Sequence, residues 1–173
     1  MTQENNPRLG IVVSGSLTKG VEVRLDNSAS IEEMAVGRYV TIQGEKRRFF
    51  GMITDISLGV TDQRITLSPP DVADRFTAEV LAGTGTFGIL HVLPMLTISG
   101  ASDLIEGPQP VKTVPGHFSE VKLASQQDME TIFGGDDARN FYIGTPLDME
   151  TKICLDLPEL VKRSNGIFGK SGT

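Results

Sequence analysis

The chain has 173 residues, 39% of them hydrophobic, which is enough for one buried core with an appendage. The formal net charge of -6 argues against a free-standing nucleic-acid binder, which needs clustered Lys and Arg to neutralise phosphates. A single cysteine, Cys154, excludes an internal disulfide framework and fits a reducing cytosol, and we interpret it as a small buried hydrophobe.

The N-terminus does not resemble a secretion signal. Residues 1–7 are polar and lack the basic region and the apolar run of a signal peptide. The longest apolar stretch, residues 86–98, is shorter than the roughly 18 residues of a membrane span and contains His91 and Pro94. We therefore expect a cytoplasmic protein without a membrane segment, and we interpret the stretch as a core strand.

The N-terminal part of the chain carries a series of short strand patterns. Residues 9–13 are rich in β-branched side chains, and in residues 21–25 apolar and charged side chains alternate. Further strands are predicted at residues 36–42, 47–58, 64–67 and 89–98, with a hairpin turn at residues 44–46 and a bulge or barrel corner at Gly51. Strands at this spacing predict a mainly β fold built on a small closed antiparallel barrel.

Three features of the barrel have both a functional and a structural interpretation. The basic residues 46–48 at a hairpin tip suit DNA or an acidic partner, but also a solvated turn. Phe49 and Phe50 suit a stacking platform for single strands, although adjacent residues point to opposite faces, so that core packing accounts for at least one. Asp55 is either a buried carboxylate with a raised pKa or a residue that faces water opposite Ile56.

A helix is predicted after the Ser-Pro-Pro breaker, over about residues 72–82, with Asp71 as its cap and Gly83 as its end. The following residues 83–88 match G-x-G-x-x-G. A dinucleotide-binding loop must follow a strand and open a helix, whereas this one follows a helix and opens a strand. We therefore do not assign phosphate binding to it. His91 and His117 have no partner at metal-ligand spacing, so no metal site is predicted.

The sequence predicts three regions: the barrel in residues 1–100, a linker rich in Gly and Pro in residues 101–116, and a start of an α/β domain in residues 117–173. In the last region a capping box at Ser125 predicts a helix, residues 141–144 and 152–157 predict strands, and Pro158 opens a short helix. These elements are too few to close a core, so we expect their sheet to continue beyond Thr173.

The chain reaches its last residues through a glycine-rich segment. Asn165 and Gly166 are expected to end the short helix, and Ile167 and Phe168 to form a second apolar strand. The segment itself reads Gly169-Lys170-Ser171-Gly172-Thr173. It matches the opening G-x-x-x-x of the phosphate loop G-x-x-x-x-G-K-[ST], without the lysine and the hydroxyl that bind the terminal phosphates and Mg²⁺.

A longer pattern leads into these glycines. It runs Ile143-Gly144, then Ile153-Cys154-Leu155-Asp156-Leu157-Pro158-Glu159-Leu160-Val161, then Asn165-Gly166-Ile167-Phe168-Gly169-Lys170-Ser171-Gly172-Thr173. It resembles the entry to the ATPase core of the HerA family, which are hexameric DNA translocases related to the FtsK type. In that family a HAS barrel precedes the ATPase core, and Pro115-Gly116 resembles the turn that joins the two.

This resemblance implies a HAS barrel followed by the first elements of an α/β P-loop ATPase domain. It assigns Gly169, Lys170, Ser171, Gly172 and Thr173 to phosphate binding. For the parent protein it implies ATP and Mg²⁺ as cofactors, self-association into a hexameric ring, a NurA-type nuclease as partner, and DNA contacts through the motor domain. The chain by itself has no catalytic residue and is not expected to bind ATP tightly.

The alternative interpretation is a non-catalytic barrel module for oligomerisation or adaptor binding, whose Gly/Ser segment is a solvated tail. The apolar strand patterns before Gly169 argue against it, because a tail would leave apolar strand edges uncovered.

Overall fold

The computed structural model describes residues 6–69, 71, 73–99, 107–135, 137, 139–146, 152–162, 164–166 and 168–169. The chain divides into two compact units, Met1–Ala124 and Ser125–Thr173. The strands are β1 (Arg8–Ser16), β2 (Gly20–Leu25), β3 (Tyr39–Gln43), β4 (Arg47–Val60), β5 (Thr86–Ser99), β6 (Gln109–Pro110), β7 (Glu120–Leu123), β8 (Asn140–Gly144) and β9 (Ile153–Asp156). The helices are α1 (Gln63–Leu67), α2 (Arg75–Thr84), α3 (Gln126–Phe133) and α4 (Leu157–Val161).

The first unit is a closed antiparallel barrel. Its sheet runs β2-β1-β7-β3-β4-β5, and β2 also pairs with β5, for example Val21 with Val92, which closes the ring of six strands. The short strand β6 pairs with the C-terminal half of β5 and extends the sheet there. The predicted small β-barrel is confirmed.

The interior of the barrel follows from the alternating pattern of the sequence. On β2, Val21, Val23 and Leu25 are buried while Arg24 between them is exposed, as the period of two predicts. The barrel core consists of Leu9, Val12, Val21, Val23, Leu25, Val40, Ile42, Phe49, Ile53, Leu90, Val92 and Val121. Burial of these side chains is the main favourable contribution to the stability of this unit.

The long hairpin of β4 and β5 contains two irregularities. Its register shifts between Phe50 and Gly51, which confirms the bulge predicted at the glycine. A second shift lies between Ile53 and Asp55, and it leaves Asp55 and the neighbouring Thr54 both exposed. Such shifts bend the strands and increase their twist, which a small barrel requires.

Two predictions between β4 and β5 are wrong in detail. Residues 64–67, predicted as a strand, lie in helix α1, because the carboxylate of Asp62 accepts from the backbone N–H of Arg64 and caps a helical turn. The next helix, α2, begins at Arg75 with Asp74 as its cap, later than the expected start near residue 72. Asp71 caps only the preceding turn, where it accepts from the N–H of Ala73.

The barrel extends further along the chain than the sequence indicated. Strand β7 lies between β1 and β3, with Val121 opposite both Gly10 and Ile42, and the first unit therefore ends at Ala124. Strand β6 falls within the expected linker of residues 101–116. The barrel therefore ends well after residue 100, because β7 pairs with β1 and β3, which lie far from it in sequence.

The second unit is a small α/β layer. β8 and β9 form an antiparallel pair, and α3 and α4 both contact β9. The Ser125–Asp128 capping box at the start of α3 is present as predicted: the Ser125 hydroxyl accepts from the N–H of Asp128, and the Asp128 carboxylate accepts from the N–H of Ser125. Met129 and Cys154 form the buried centre of this unit.

None of the helices in the described parts of the chain has both the length and the apolar character that crossing a bilayer requires.

Candidate functional site

The elements that lead toward the glycine-rich segment adopt the predicted order of strand and short helix. Strand β9 ends at Asp156, and α4 begins at Leu157 with Pro158 in its first turn. The helix ends at Val161, and the side-chain amide of Asn165 donates to the carbonyl oxygen of Leu160, which satisfies one of the last carbonyl groups.

The segment itself is described only in part. Gly169 lies in irregular, exposed backbone, while Lys170, Ser171, Gly172 and Thr173 lie outside the described residues. Phe168 is not in a strand and its side chain is 95% exposed, so the apolar strand expected there is absent at this residue. A strand needs a neighbour for its backbone hydrogen bonds, and the described sheet of this unit contains only β8 and β9.

A polar network fixes the end of β9 and the start of α4. The Asp156 carboxylate accepts from the N–H of Glu159 at 3.0 Å and also pairs with the guanidinium of Arg139 at 2.8 Å. The Nη2 atom of Arg139 lies 3.6 Å from Oε1 of Glu159. The same carboxylate oxygen pairs with Nζ of Lys162 at 2.5 Å. Asp156 therefore caps helix α4 and, through its ion pair with Arg139, connects the start of the helix to the residue that precedes β8.

The entry to β8 is held by an aspartate turn. Asp137 accepts from the backbone N–H groups of Asn140 at 2.9 Å and of Arg139 at 2.8 Å, and from the side-chain amide of Asn140 at 3.1 Å. These donors hold the pKa of the Asp137 carboxyl below its ordinary value. The turn positions Arg139 for its contact with Asp156.

The second unit exposes a large amount of apolar surface. Phe141 and Ile143 on β8 are 57% and 52% exposed, and Val161 on α4 is 75% exposed. Tyr142, also exposed, has the ammonium group of Lys152 5.5 Å from its ring centre. Consecutive strand residues point to opposite faces of the sheet, so exposed apolar side chains lie on both faces of β8, although α3 and α4 contact β9 and Cys154 is buried.

The three barrel candidates have different outcomes. Phe49 and Phe50 are 4% and 2% exposed, and the Phe50 ring stacks on Tyr39 at 5.1 Å, so the proposal of a stacking platform for single strands is wrong. Adjacent strand residues point to opposite faces, and each ring is covered on its own side: Phe49 belongs to the barrel core, whereas Phe50 packs against Tyr39. Asp55 is exposed, which agrees with the interpretation that it faces water, and the basic residues 46–48 lie at the predicted turn and the start of β4.

Each of the two histidines contacts a residue of the fold. The ring Nε2 of His91 lies 3.2 Å from the hydroxyl oxygen of Ser57 across the β4–β5 pair, and His117 lies in a turn beside Phe118. In the described parts of the chain, no group of three or more His, Cys, Asp or Glu side chains is suited to hold a metal ion.

Residues 83–88, which match a dinucleotide-binding pattern, span the end of α2 and the start of β5. This is the reverse of the order of elements that phosphate binding needs, as the sequence predicted.

Sequence reasoning missed two residues of the second unit, Asp137 and Arg139. The Asp-x-x-Asn spacing of Asp137 and Asn140 before a strand was a usable signal for the turn, since Asp side chains commonly accept from N–H groups two or three residues later. The pairing of Arg139 with Asp156 depends on the β8–β9 register and has no local signal.

One protein-family model matches the chain: the HAS barrel domain, over residues 9–103. The match covers more than half of the chain and includes β1 to β5. No curated protein matches the chain.

Proposed function

Because this chain belongs to the HAS barrel domain family, we propose that it is the N-terminal assembly and partner-docking part of a HerA-type, ATP-dependent DNA translocase. HAS barrels are known from ATPase- and helicase-associated proteins. In this proposal the barrel helps to hold a hexameric ring together and docks a NurA-type nuclease. The motor domain binds ATP and Mg²⁺ and moves DNA during end processing and repair.

The observation that carries the proposal is the partly covered sheet of the second unit. A two-stranded sheet needs further strands or helices for stability, and although α3 and α4 contact β9, the β8 residues Phe141, Tyr142 and Ile143 are exposed. Additional strands beside β8 or β9 and further helices would cover these side chains, as in the α/β core of a P-loop ATPase. The strand β9 and the helix α4 precede the glycines in the order expected of that core.

Within this chain the phosphate-binding role is proposed for Gly169, Lys170, Ser171, Gly172 and Thr173. Gly169 makes the tight turn, and the backbone N–H groups of the following residues line the cradle for the phosphates. The lysine for the terminal phosphates and the hydroxyl for Mg²⁺ come from the positions after Thr173. The described residues of this chain therefore contribute the approach to the loop and none of its charged groups.

The first experiment is to read the codons that follow Thr173. We expect Gly-Lys-Ser or Gly-Lys-Thr and then a helical pattern; a stop codon or unrelated residues would overturn the translocase proposal. The protein that contains these residues should hydrolyse ATP in a DNA-dependent manner and form rings in native mass spectrometry. Its matched control replaces the lysine of that triplet by alanine, which should abolish hydrolysis and leave the ring intact.

A second candidate function is a non-catalytic oligomerisation or adaptor module, and the 95% exposure of Phe168 favours it. In that case the residues after α4 are a solvated tail. Deletion of residues 166–173 distinguishes the two functions. Unchanged solubility and thermal stability favour the tail, whereas a loss of either indicates that residues 167 and 168 are packed in the protein.

A further inference from the structure

The outer surface of the barrel contains an open depression of about 490 Å³ beside the turn that follows β2. Two arginines line it, Arg8 on β1 and Arg24 on β2, together with the apolar side chain of Ile11. Ile11 lies directly opposite Arg24 in the β1–β2 pair. The depression therefore combines cationic groups with an apolar wall.

The charge of Arg8 is balanced by two carboxylates of the same unit. Its Nε donates to the Asp26 carboxylate at 2.6 Å, and its Nη1 lies 3.8 Å from Glu120. The hydrogen bond and the charge of Asp26 together raise the pKa of Arg8 above its ordinary value. Arg8 thus lines the depression, but its guanidinium is already paired with carboxylates of the same chain.

Arg24 is different. Its exposed guanidinium lies over the ring of Phe87, 4.3 Å from the ring centre, and no hydrogen bond or ion pair joins it to any described residue. A cation over the face of an aromatic ring is attracted by the ring. The contact with Phe87 therefore holds the guanidinium of Arg24 in place, while its N–H donors have no acceptor among the described residues and are available for a planar anion.

The surroundings select the kind of anion. Arg8 pairs with Asp26 and Glu120, which leaves Arg24 as the lining cation without an ion pair to a described residue, and the whole chain carries -6. Binding of a polyanion such as DNA needs several unpaired cations, whereas a single carboxylate can be bound by the two parallel N–H donors of one guanidinium. Ile11 supplies apolar contact beside that fork.

We propose that this depression docks an acidic side chain of a partner protein, with Arg24 as the bidentate donor and Ile11 in contact with the apolar neighbour of that side chain. This proposal rests on the barrel alone and does not depend on the proposed translocase function. Phe87 acts as a positioning residue, because it holds the guanidinium of Arg24 and contributes no hydrogen bond of its own.

The test uses the full chain and two peptides, acetyl-Ile-Glu-Leu-Glu-Ile-amide and its analogue with Gln in place of Glu. NMR follows the Nε–H signal of Arg24, assigned by its loss in Arg24→Gln. We expect a saturable shift with the Glu peptide and at least about fivefold weaker binding of the Gln analogue, since charge-assisted bidentate pairs are the stronger ones. Equal binding of the two peptides, or no shift of the Arg24 signal, would overturn the proposal.

Variants separate docking from folding. Arg24→Lys keeps the charge but not the fork, and we expect about fivefold weaker binding; Phe87→Leu should weaken binding about threefold by releasing the guanidinium. Arg47→Gln, an exposed arginine at the start of β4, is the matched control and should bind the Glu peptide like the original chain. Two-dimensional amide spectra establish that each variant is folded.

Two further probes distinguish the source of the anion. Inorganic phosphate and a short DNA duplex are titrated at the same ionic strength as the peptide. Weaker responses of Arg24 to both than to the Glu peptide support the proposal, whereas tighter binding of either would assign the depression to a phosphate and overturn it.

Discussion

The carbonyl oxygen of Leu93 lies 2.7 Å from the position that a Cβ atom on Gly51 would occupy. This close approach occurs at the register shift between β4 and β5, where the two backbones come together. Backbone atoms cannot move aside as the end of a flexible side chain can, so this position admits only glycine without rearrangement of the barrel.

Gly51→Ala should therefore destabilise the barrel by about 1–3 kcal/mol, because the added methyl group forces the strands apart. Gly83→Ala is the matched control, since outside its own helix backbone and its chain neighbours no atom lies within 4 Å of its Cβ position, and it is part of helix α2. It should stabilise the protein by about 0.5–1 kcal/mol. Urea unfolding measures both, and a neutral Gly51→Ala would contradict the close approach.

The centre of the barrel should be sensitive to loss of volume. Ile53 is fully buried, and Ile53→Ala should lower the free energy of unfolding by about 2–5 kcal/mol through lost burial and a cavity. Leu58 lies on the same strand but is 82% exposed, so Leu58→Ala should change it by no more than about 0.5 kcal/mol. Similar losses of unfolding free energy in the two variants would mean that the buried and exposed faces of β4 are assigned wrongly.

In the second unit, Asp156→Ala should fray helix α4. It removes the acceptor for the N–H of Glu159 and the partner of Arg139, and loss of such a cap costs about 0.5–2 kcal/mol. Asp156→Asn keeps a capping oxygen and loses only the charge, so its effect should be smaller, because exposed ion pairs contribute at most about 1 kcal/mol. Hydrogen exchange at the Glu159 amide reports the difference.

Three aspartates should make stability fall in acid. The pKa of Asp62 is lowered by the side chain of Arg64, that of Asp74 by the hydroxyl of Thr77, and that of Asp137 by the N–H groups that it accepts from. A pKa that is lower in the folded state than in the unfolded state stabilises the fold above the ordinary carboxyl range, near 4.

This stabilisation is lost as the pH falls through the folded-state pKa values. Carboxyl ¹³C titration should give midpoints below about 3.9 for all three groups. Asp137→Asn should remove the part of the acid dependence that belongs to the β8 turn and leave the titrations of Asp62 and Asp74 unchanged. Midpoints at or above the ordinary value would contradict the hydrogen bonds assigned to these groups.

Residues 1–173 prepared by themselves should bind ATP weakly or not at all. The segment that begins at Gly169 offers backbone N–H groups but neither the lysine nor the Mg²⁺ hydroxyl of a complete phosphate loop. Calorimetry with ATP and Mg²⁺ is the measurement, and submicromolar affinity would contradict the prediction. Acetylated bovine albumin under the same buffer conditions gives the background heat.

Local patterns explain which elements could be predicted from the sequence. The alternation of Val21, Val23 and Leu25 is a period-two signal inside one strand, and the Ser125–Asp128 box is complete within four consecutive residues. Such signals hold because the partner atoms are close in sequence. Of the candidate site, the same reasoning predicted the approach through β9 and α4.

Features that depend on distant partners could not be predicted. Strand β7 is four residues long and is defined only by its neighbours β1 and β3. Arg24 and Phe87 come from different strands, and nothing near either residue indicates their contact. In the sequence of α1, Ile65 and Thr66 favour a strand, but the cap at Asp62 outweighs this weak preference.

The position of β7 also sets the order in which the chain can fold. β1 and β3 are separated by the strand that is synthesised last in the barrel, so their facing edges have no partner until residues 120–123 have left the ribosome. Unpaired strand edges recruit other chains, and barrels closed by remote contacts fold slowly. During synthesis, the edges of β1 and β3 therefore stay unpaired for a long interval. In that interval they can pair with strands of other nascent chains that are being translated from the same mRNA.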